Sequence, residues 1–101
     1  MRYPKFTRLA ENDLFEIAEY IAEDNPEAAH RVVEAIQETT TNLATQPEMG
    51  RSVESNLYDD LRSLPCGDFP IYQIFYLTLD DDLVVVRVLH GARNIPRILN
   101  S

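Results

Sequence analysis

Val84-Val85-Val86-Arg87-Val88-Leu89-His90-Gly91-Ala92-Arg93 carries the strongest strand signal in the chain, and the rest is arranged around it. Its four valines favour pleated backbone, where β-branched side chains lose little rotamer freedom. A run that is apolar at almost every position reads as an interior strand covered on both faces. Alternation puts Val84, Val86, Val88 and His90 on one face and Val85, Arg87 and Leu89 on the other. The all-valine face is expected to meet helices. Arg87, the one charge inside the run, is expected to look out from the open face. Gly91 ends the strand, leaving Arg87, His90 and Arg93 as a small group suited to touching an anion.

The chain's 101 residues allow one domain, residues 1–101, with one core. Its 45% apolar and 26% charged residues place it among ordinary globular proteins. No apolar run approaches the ~20 residues of a membrane span. Met1-Arg2-Tyr3-Pro4-Lys5 lacks the apolar stretch of a signal peptide. A single cysteine, Cys66, cannot form an internal disulfide, which fits a reducing cytoplasm. With no base placed beside it, Cys66 reads as a small core or edge side chain rather than a nucleophile. The net charge of −8 argues against direct nucleic-acid binding by the surface as a whole. The charge is unevenly spread. Residues 1–48 hold ten acids and four bases, whereas from Leu83 to Ser101 there is no acid and Arg87, Arg93 and Arg97 supply three positive charges.

Upstream, Arg2 to Phe6 is a short strand, limited by Pro4 to an edge or a strand start. Thr7 is a suitable helix N-cap, and Ala10, Leu14, Ile17, Ala18 and Ile21 recur at helical spacing. The carboxylates of that helix, Asp13 among them, read as a solvated face. Asn25-Pro26 caps and opens a second helix through Ala29, Val32, Val33, Ile36, Thr40 and Leu43. With almost no linker between them, the two helices fold back as an antiparallel hairpin. His30 falls among exposed positions. Thr39-Thr40-Thr41 weakens the second helix intrinsically, so tertiary packing has to hold it.

A polar loop runs from Gln46 to Asp60, with Leu57 and Tyr58 available to pin it. Leu61 to Cys66 and Phe69 to Leu79 then read as strands. Asp80-Asp81-Asp82 is the turn into the valine-rich strand, because aspartate tolerates left-handed backbone and one tight turn cannot aim three carboxylates at a single metal ion. Pro96 argues against a long helix in the tail. The order is N-terminal strand, antiparallel helix hairpin, then a three-stranded antiparallel meander. This is an α+β, two-layer fold.

Several strings, in this order and spacing, carry a family resemblance. They are Ala10-Glu11-Asn12-Asp13-Leu14, Ile17-Ala18-Glu19-Tyr20-Ile21, Asn25-Pro26 with Ala28-Ala29, Pro47-Glu48-Met49-Gly50-Arg51, Leu61-Arg62-Ser63, Ile74-Phe75-Tyr76 and Arg87-Val88-Leu89-His90-Gly91-Ala92-Arg93. Together the chain resembles the ParE branch of the RelE/ParE toxins of bacterial type II toxin–antitoxin systems, from about residue 6 to residue 99. The resemblance implies a plasmid stabilisation-type toxin neutralised by a cognate ParD-like antitoxin. It also implies poisoning of DNA gyrase, without cofactor or metal. The alternatives are a ribosome-dependent mRNA endonuclease of RelE type and a non-toxic relic that only binds an antitoxin.

Cutting RNA through a 2′-hydroxyl needs a base, an acid and cationic stabilisation of the phosphate. The candidates for such a set are Arg62, Arg87 and His90. No tyrosine, lysine or second histidine follows His90, so the set is incomplete and the non-nuclease branch is favoured. The candidates for antitoxin or target contact are Arg62, Tyr76, Arg87, Arg93 and Arg97. The structural alternative for Arg62, Arg87 and Arg93 is ion pairing with loop acids such as Asp59, Asp60 or Asp68.

Overall fold

The computed structural model describes residues 3–100. The first strand, β1, is Pro4–Phe6; the expected start at Arg2 lies outside the described residues. Helix α1 spans Arg8–Ala22, with the Thr7 hydroxyl accepting the Ala10 amide at 3.1 Å. Helix α2 spans Pro26–Thr45, with Asn25 Oδ1 capping Ala28 N and Pro26 in the first turn. Strand β2 is Arg51–Ser52, β3 Arg62–Pro65, β4 Tyr72–Leu79 and β5 Asp82–His90. A short helix, α3, closes the chain at Ile95–Leu99. No described helix is long and apolar enough to cross a membrane.

The sheet has the order β1-β5-β4-β3-β2, with β1 parallel to β5 and the remaining pairs antiparallel. The meander is therefore widened by β1 on one side and by β2, which arises within the expected loop, on the other. Asp80 and Asp81 turn the chain from β4 into β5 at φ of 50° and 70°, the left-handed backbone expected there. Asp82 pairs with Lys5 at 2.7 Å across the parallel edge.

The helices cover one face of the sheet. Val32, Ile36 and Leu43 of α2 pack with Ala10 of α1 and with Ile74, Tyr76, Leu83, Val85 and Val88 of the sheet. Burying a side chain such as Ile36 or Leu43 stabilises by about 1.5–3 kcal/mol, which outweighs the poor helix propensity of the threonine run. Those threonines also bond back along the helix: Thr39 to Ala35 O, and Thr40 and Thr41 to Gln37 O. Thr39 Oγ1 further accepts Gly67 N, joining α2 to the loop after β3. Cys66 is fully buried beside it.

The opposite face is not open. Leu61, Phe75, Val86, Leu89 and Leu99 form a second cluster, with Val53, Tyr58, Ile95 and Ile98 against it. The 53–61 segment and α3 supply that cover. Ser55 bonds the Leu99 carbonyl, and Asn56 N bonds Asn100 Oδ1 at 2.9 Å. Tyr58 pins this segment; Leu57 stays largely exposed.

Strand β5 departs from simple alternation. Phe75 pairs with Arg87 and Tyr76 with Val85, so Val86 is an extra, bulged residue. Leu83, Val85 and Val88 consequently face the helices, while Val84, Val86 and Leu89 face α3. The expected set of Val84, Val86 and Val88 toward the helices is corrected accordingly. Both faces are apolar, so the sequence pattern does not choose between them, and the bulge resets the phase halfway along.

Arg87 does not look out from an uncovered face. Its Nε and Nη2 donate to Asp13 Oδ2 and Oδ1 at 2.7 and 2.8 Å, and Val88 N donates to the same Oδ2 at 3.0 Å. The partner is a helix residue rather than Asp59, Asp60 or Asp68, and the two side chains are only 16% and 6% exposed. Asp13 is thus the exception to the solvated face of α1.

Removing one partner leaves a buried charge uncompensated, which destabilises far more than an exposed pair would. Asp13→Asn is expected to lower the unfolding free energy by about 3 kcal/mol in urea titration. The double variant Asp13→Asn/Arg87→Met is expected to lose less than the sum of its single variants.

Candidate partner-binding surface

Tyr76 enters the core from the middle of β4, opposite Arg62 on β3 and Val85 on β5. Its ring is fully buried, and its hydroxyl reaches the segment after α2. There Tyr76 Oη donates to Pro47 O and accepts from Gly50 N, both at 2.8 Å. Arg62 holds the same segment as well: Nη1 donates to Gly50 O at 2.7 Å and Glu48 O at 3.4 Å. Gly50 fits because it lacks a Cβ, which would collide with Tyr76 Oη and lie 2.8 Å from Ser63 O. Burial pushes the Tyr76 phenol above its usual range, opposed in part by the Gly50 amide and the nearby Arg62 charge.

These contacts shape a shallow cleft lined by Pro47, Glu48, Ser52, Asp60, Arg62 and Thr78. Arg62 and Tyr76 are thereby brought together. Glu48 and Asp60 share the lining, so the cleft is of mixed sign rather than a phosphate cradle.

Arg93 and Arg97 form a separate exposed group after β5. Asn94 caps α3 by accepting Arg97 N, while Ile95, Ile98 and Leu99 turn toward the sheet, leaving both arginines on the solvent side. His90 ends β5 with Nδ1 accepting Ala92 N at 3.0 Å and its ring edge-on to Tyr72, centroids 5.5 Å apart. Arg87 sits between the two groups, held protonated still more firmly by its bonds to Asp13 against the opposing effect of burial.

Arg62, Arg87 and His90 do not converge. Arg62 lies across from Tyr76 and His90 across from Tyr72. Four residues along the sheet and two strands across it put their Cα atoms roughly 16 Å apart. Each side chain is also engaged with a different partner. Sequence reasoning missed Asp13, although a signal was present: it stands three residues after Ala10 and four before Ile17, on the border of the apolar stripe of α1.

The sequence profile of the family described as "ParE toxin of type II toxin-antitoxin system, parDE" matches residues 5–95. The chain is 34% identical over 95 residues to Y4kP of Sinorhizobium fredii, described as a candidate toxin, covering 94% of each protein. Among solved structures it is similar to a chain of the chromosomal ParDE toxin–antitoxin system from P. aeruginosa. That match has a TM-score of 0.72 and 23% identity, over 89% of this chain and 96% of that one.

Tyr76→Phe leaves the buried Gly50 amide without its acceptor, so a loss of about 1–3 kcal/mol in unfolding free energy is expected by denaturant titration. The Cys66 thiol is pushed up by burial, opposed in part by hydrogen bonds with Thr39 and the Phe69 backbone and aided slightly by the Asp68 charge. Its alkylation by iodoacetamide is expected to track unfolding, so that raising urea through the transition, rather than raising pH to 8, brings on labelling.

Proposed function

Because the chain belongs to the ParE toxin family of type II toxin–antitoxin systems, we propose that it is a cytoplasmic toxin held inactive by a ParD-like antitoxin and directed at DNA gyrase. The reading goes with a plasmid-stabilisation role and with action by docking rather than by bond cleavage. The observation that carries it is the dispersal of the cationic groups. Arg87 is committed to Asp13, Arg62 to main-chain carbonyls, and His90 to the turn after β5, well apart from Arg62.

The antitoxin's share of this proposal draws on the similar P. aeruginosa chain, which belongs to a ParDE toxin–antitoxin system. The surfaces proposed for contact are the Arg62–Tyr76 cleft and the exposed Arg93 and Arg97 beside α3. Arg87 supports them from within by fixing β5 against α1. A disordered antitoxin tail that folds on docking suits such a surface, because it covers much area with few residues. Apolar burial dominates the complex, with local charge matching from the two arginines.

Purified protein is expected to inhibit supercoiling by gyrase and to leave transcripts on translating ribosomes uncut; message cleavage that His90→Ala abolishes would overturn the reading. Co-expression of the product of the adjacent reading frame is expected to restore growth. Arg93→Ala/Arg97→Ala is expected to weaken that complex roughly tenfold. Added salt is expected to weaken it only slightly, and a steep salt dependence would show that charge, rather than apolar burial, holds the complex together.

A further inference from the structure

The sheet face opposite the helix hairpin is covered by α3 and by residues 53–61, and neither segment can hold its shape alone. Helix α3 has five residues, well below the ~12–15 at which an isolated helix becomes even marginally stable in water. Residues 53–61 contain no helix or strand; Val53 N meets Leu61 O at 2.9 Å and closes them into a loop. Both segments rest on the sheet through apolar contacts. Tyr58 of the loop and Ile98 and Leu99 of α3 share one cluster with Phe75, Val86 and Leu89.

The hydrogen bonds that join the two segments are concentrated on two side chains. Ser55 Oγ donates to the carbonyl of Leu99, the last residue of α3, and accepts Leu57 N and Tyr58 N at 3.1 and 3.3 Å. One hydroxyl thus folds the loop and fastens the end of the helix. Asn100 works in the same way from the other segment. Its Oδ1 accepts Asn56 N at 2.9 Å and its Nδ2 donates to Pro96 O at 2.7 Å. The main-chain bonds Arg93 N to His90 O and Ile98 N to Asn94 O stay within the final segment. Asn56 and Asn100 are exposed, so water competes for the bond between them. The other layer is built differently: α1 and α2 have 15 and 20 residues, and Asp13 clamps α1 to β5 through Arg87. Segments held by a few solvent-accessible bonds open at lower free energy than such a layer.

We propose that α3 and residues 53–61 form a single lid, latched by Ser55 and Asn100, that opens as one unit while the helix hairpin and the sheet stay folded. Opening uncovers Phe75, Val86 and Leu89 together. It also releases Arg93 and Arg97, whose spacing is fixed only while the lid is shut. Ser55 is therefore a positioning residue for a pair of arginines far from it in sequence. The device does not depend on which partner or target the protein meets.

The test is amide-resolved hydrogen exchange of the full chain by NMR, with no partner present. In the native sequence the Tyr58 and Ile98 amides are expected to have protection within about twofold of each other, and at least about tenfold below Val88 and the interior of α2. Each latch residue is then changed and read on the segment that does not contain it. Ser55→Ala is expected to lower Ile98 protection about fivefold, and Asn100→Ala to lower Tyr58 protection by a similar factor. Ser55→Thr, which keeps the hydroxyl, is expected to stay within about twofold of the native protection at Ile98. The interior of α2 is expected to be unaffected by all three. Unequal protection of Tyr58 and Ile98 in the native sequence, or an effect confined to the substituted segment, would overturn the proposal. So would a failure of threonine to replace Ser55, or an equal loss of protection in α2, which would mark global unfolding instead of a lid.

Discussion

The ion pair between Asp13 and Arg87 fixes the relation between the two layers. Strand β1 is only three residues long and pairs with β5 no further than Val85. Beyond that point the edge of a central strand would present unsatisfied groups, which are costly when buried. The start of α1 takes over: Thr7 N bonds Val85 O, Thr7 Oγ1 bonds Val86 O, and Asp13 accepts Val88 N. A helix thus replaces the missing strand, and the Arg87 guanidinium neutralises the carboxylate that makes this possible. Desolvating both charges makes the pair a weak source of net stability. Its geometry nevertheless favours a single seating of α1 on the sheet.

The bulge at Val86 belongs to the same arrangement. It changes the phase of β5 between the part covered by β1 and the part covered by α1, so apolar side chains face both layers along its length. The second layer, α3 with the 53–61 segment, then leaves Arg93 and Arg97 outside. At the far edge, Tyr76 and Arg62 hold Pro47–Gly50 against the sheet. The cationic residues therefore divide between fixing the fold and meeting solvent. That division, rather than their number, bears on what the protein does: a guanidinium already bonded bidentately to a carboxylate is poorly placed to clamp a phosphate.

Charge is also divided between the layers. The helix hairpin is acidic around an apolar groove, and the segment after β5 is basic. Two surfaces of opposite sign on opposite sides of one sheet favour partners of opposite character.

Much of this was legible in the residues. The apolar spacing of both helices, Thr7 and Asn25 as caps, Pro26 as the first helical residue and the aspartate turn are local relations of a few residues, and local stereochemistry settles them. The valine run marked the central strand in the same way. Which valines face the helices, which acid meets Arg87, and why Gly50 has no Cβ depend on residues 74 or 26 positions apart in the chain. Strand pairing, the bulge and the closing of α1 over β5 bring those residues together. A pattern of hydrophobicity constrains which faces are buried, but only the folded packing selects the partner that each buried polar group receives.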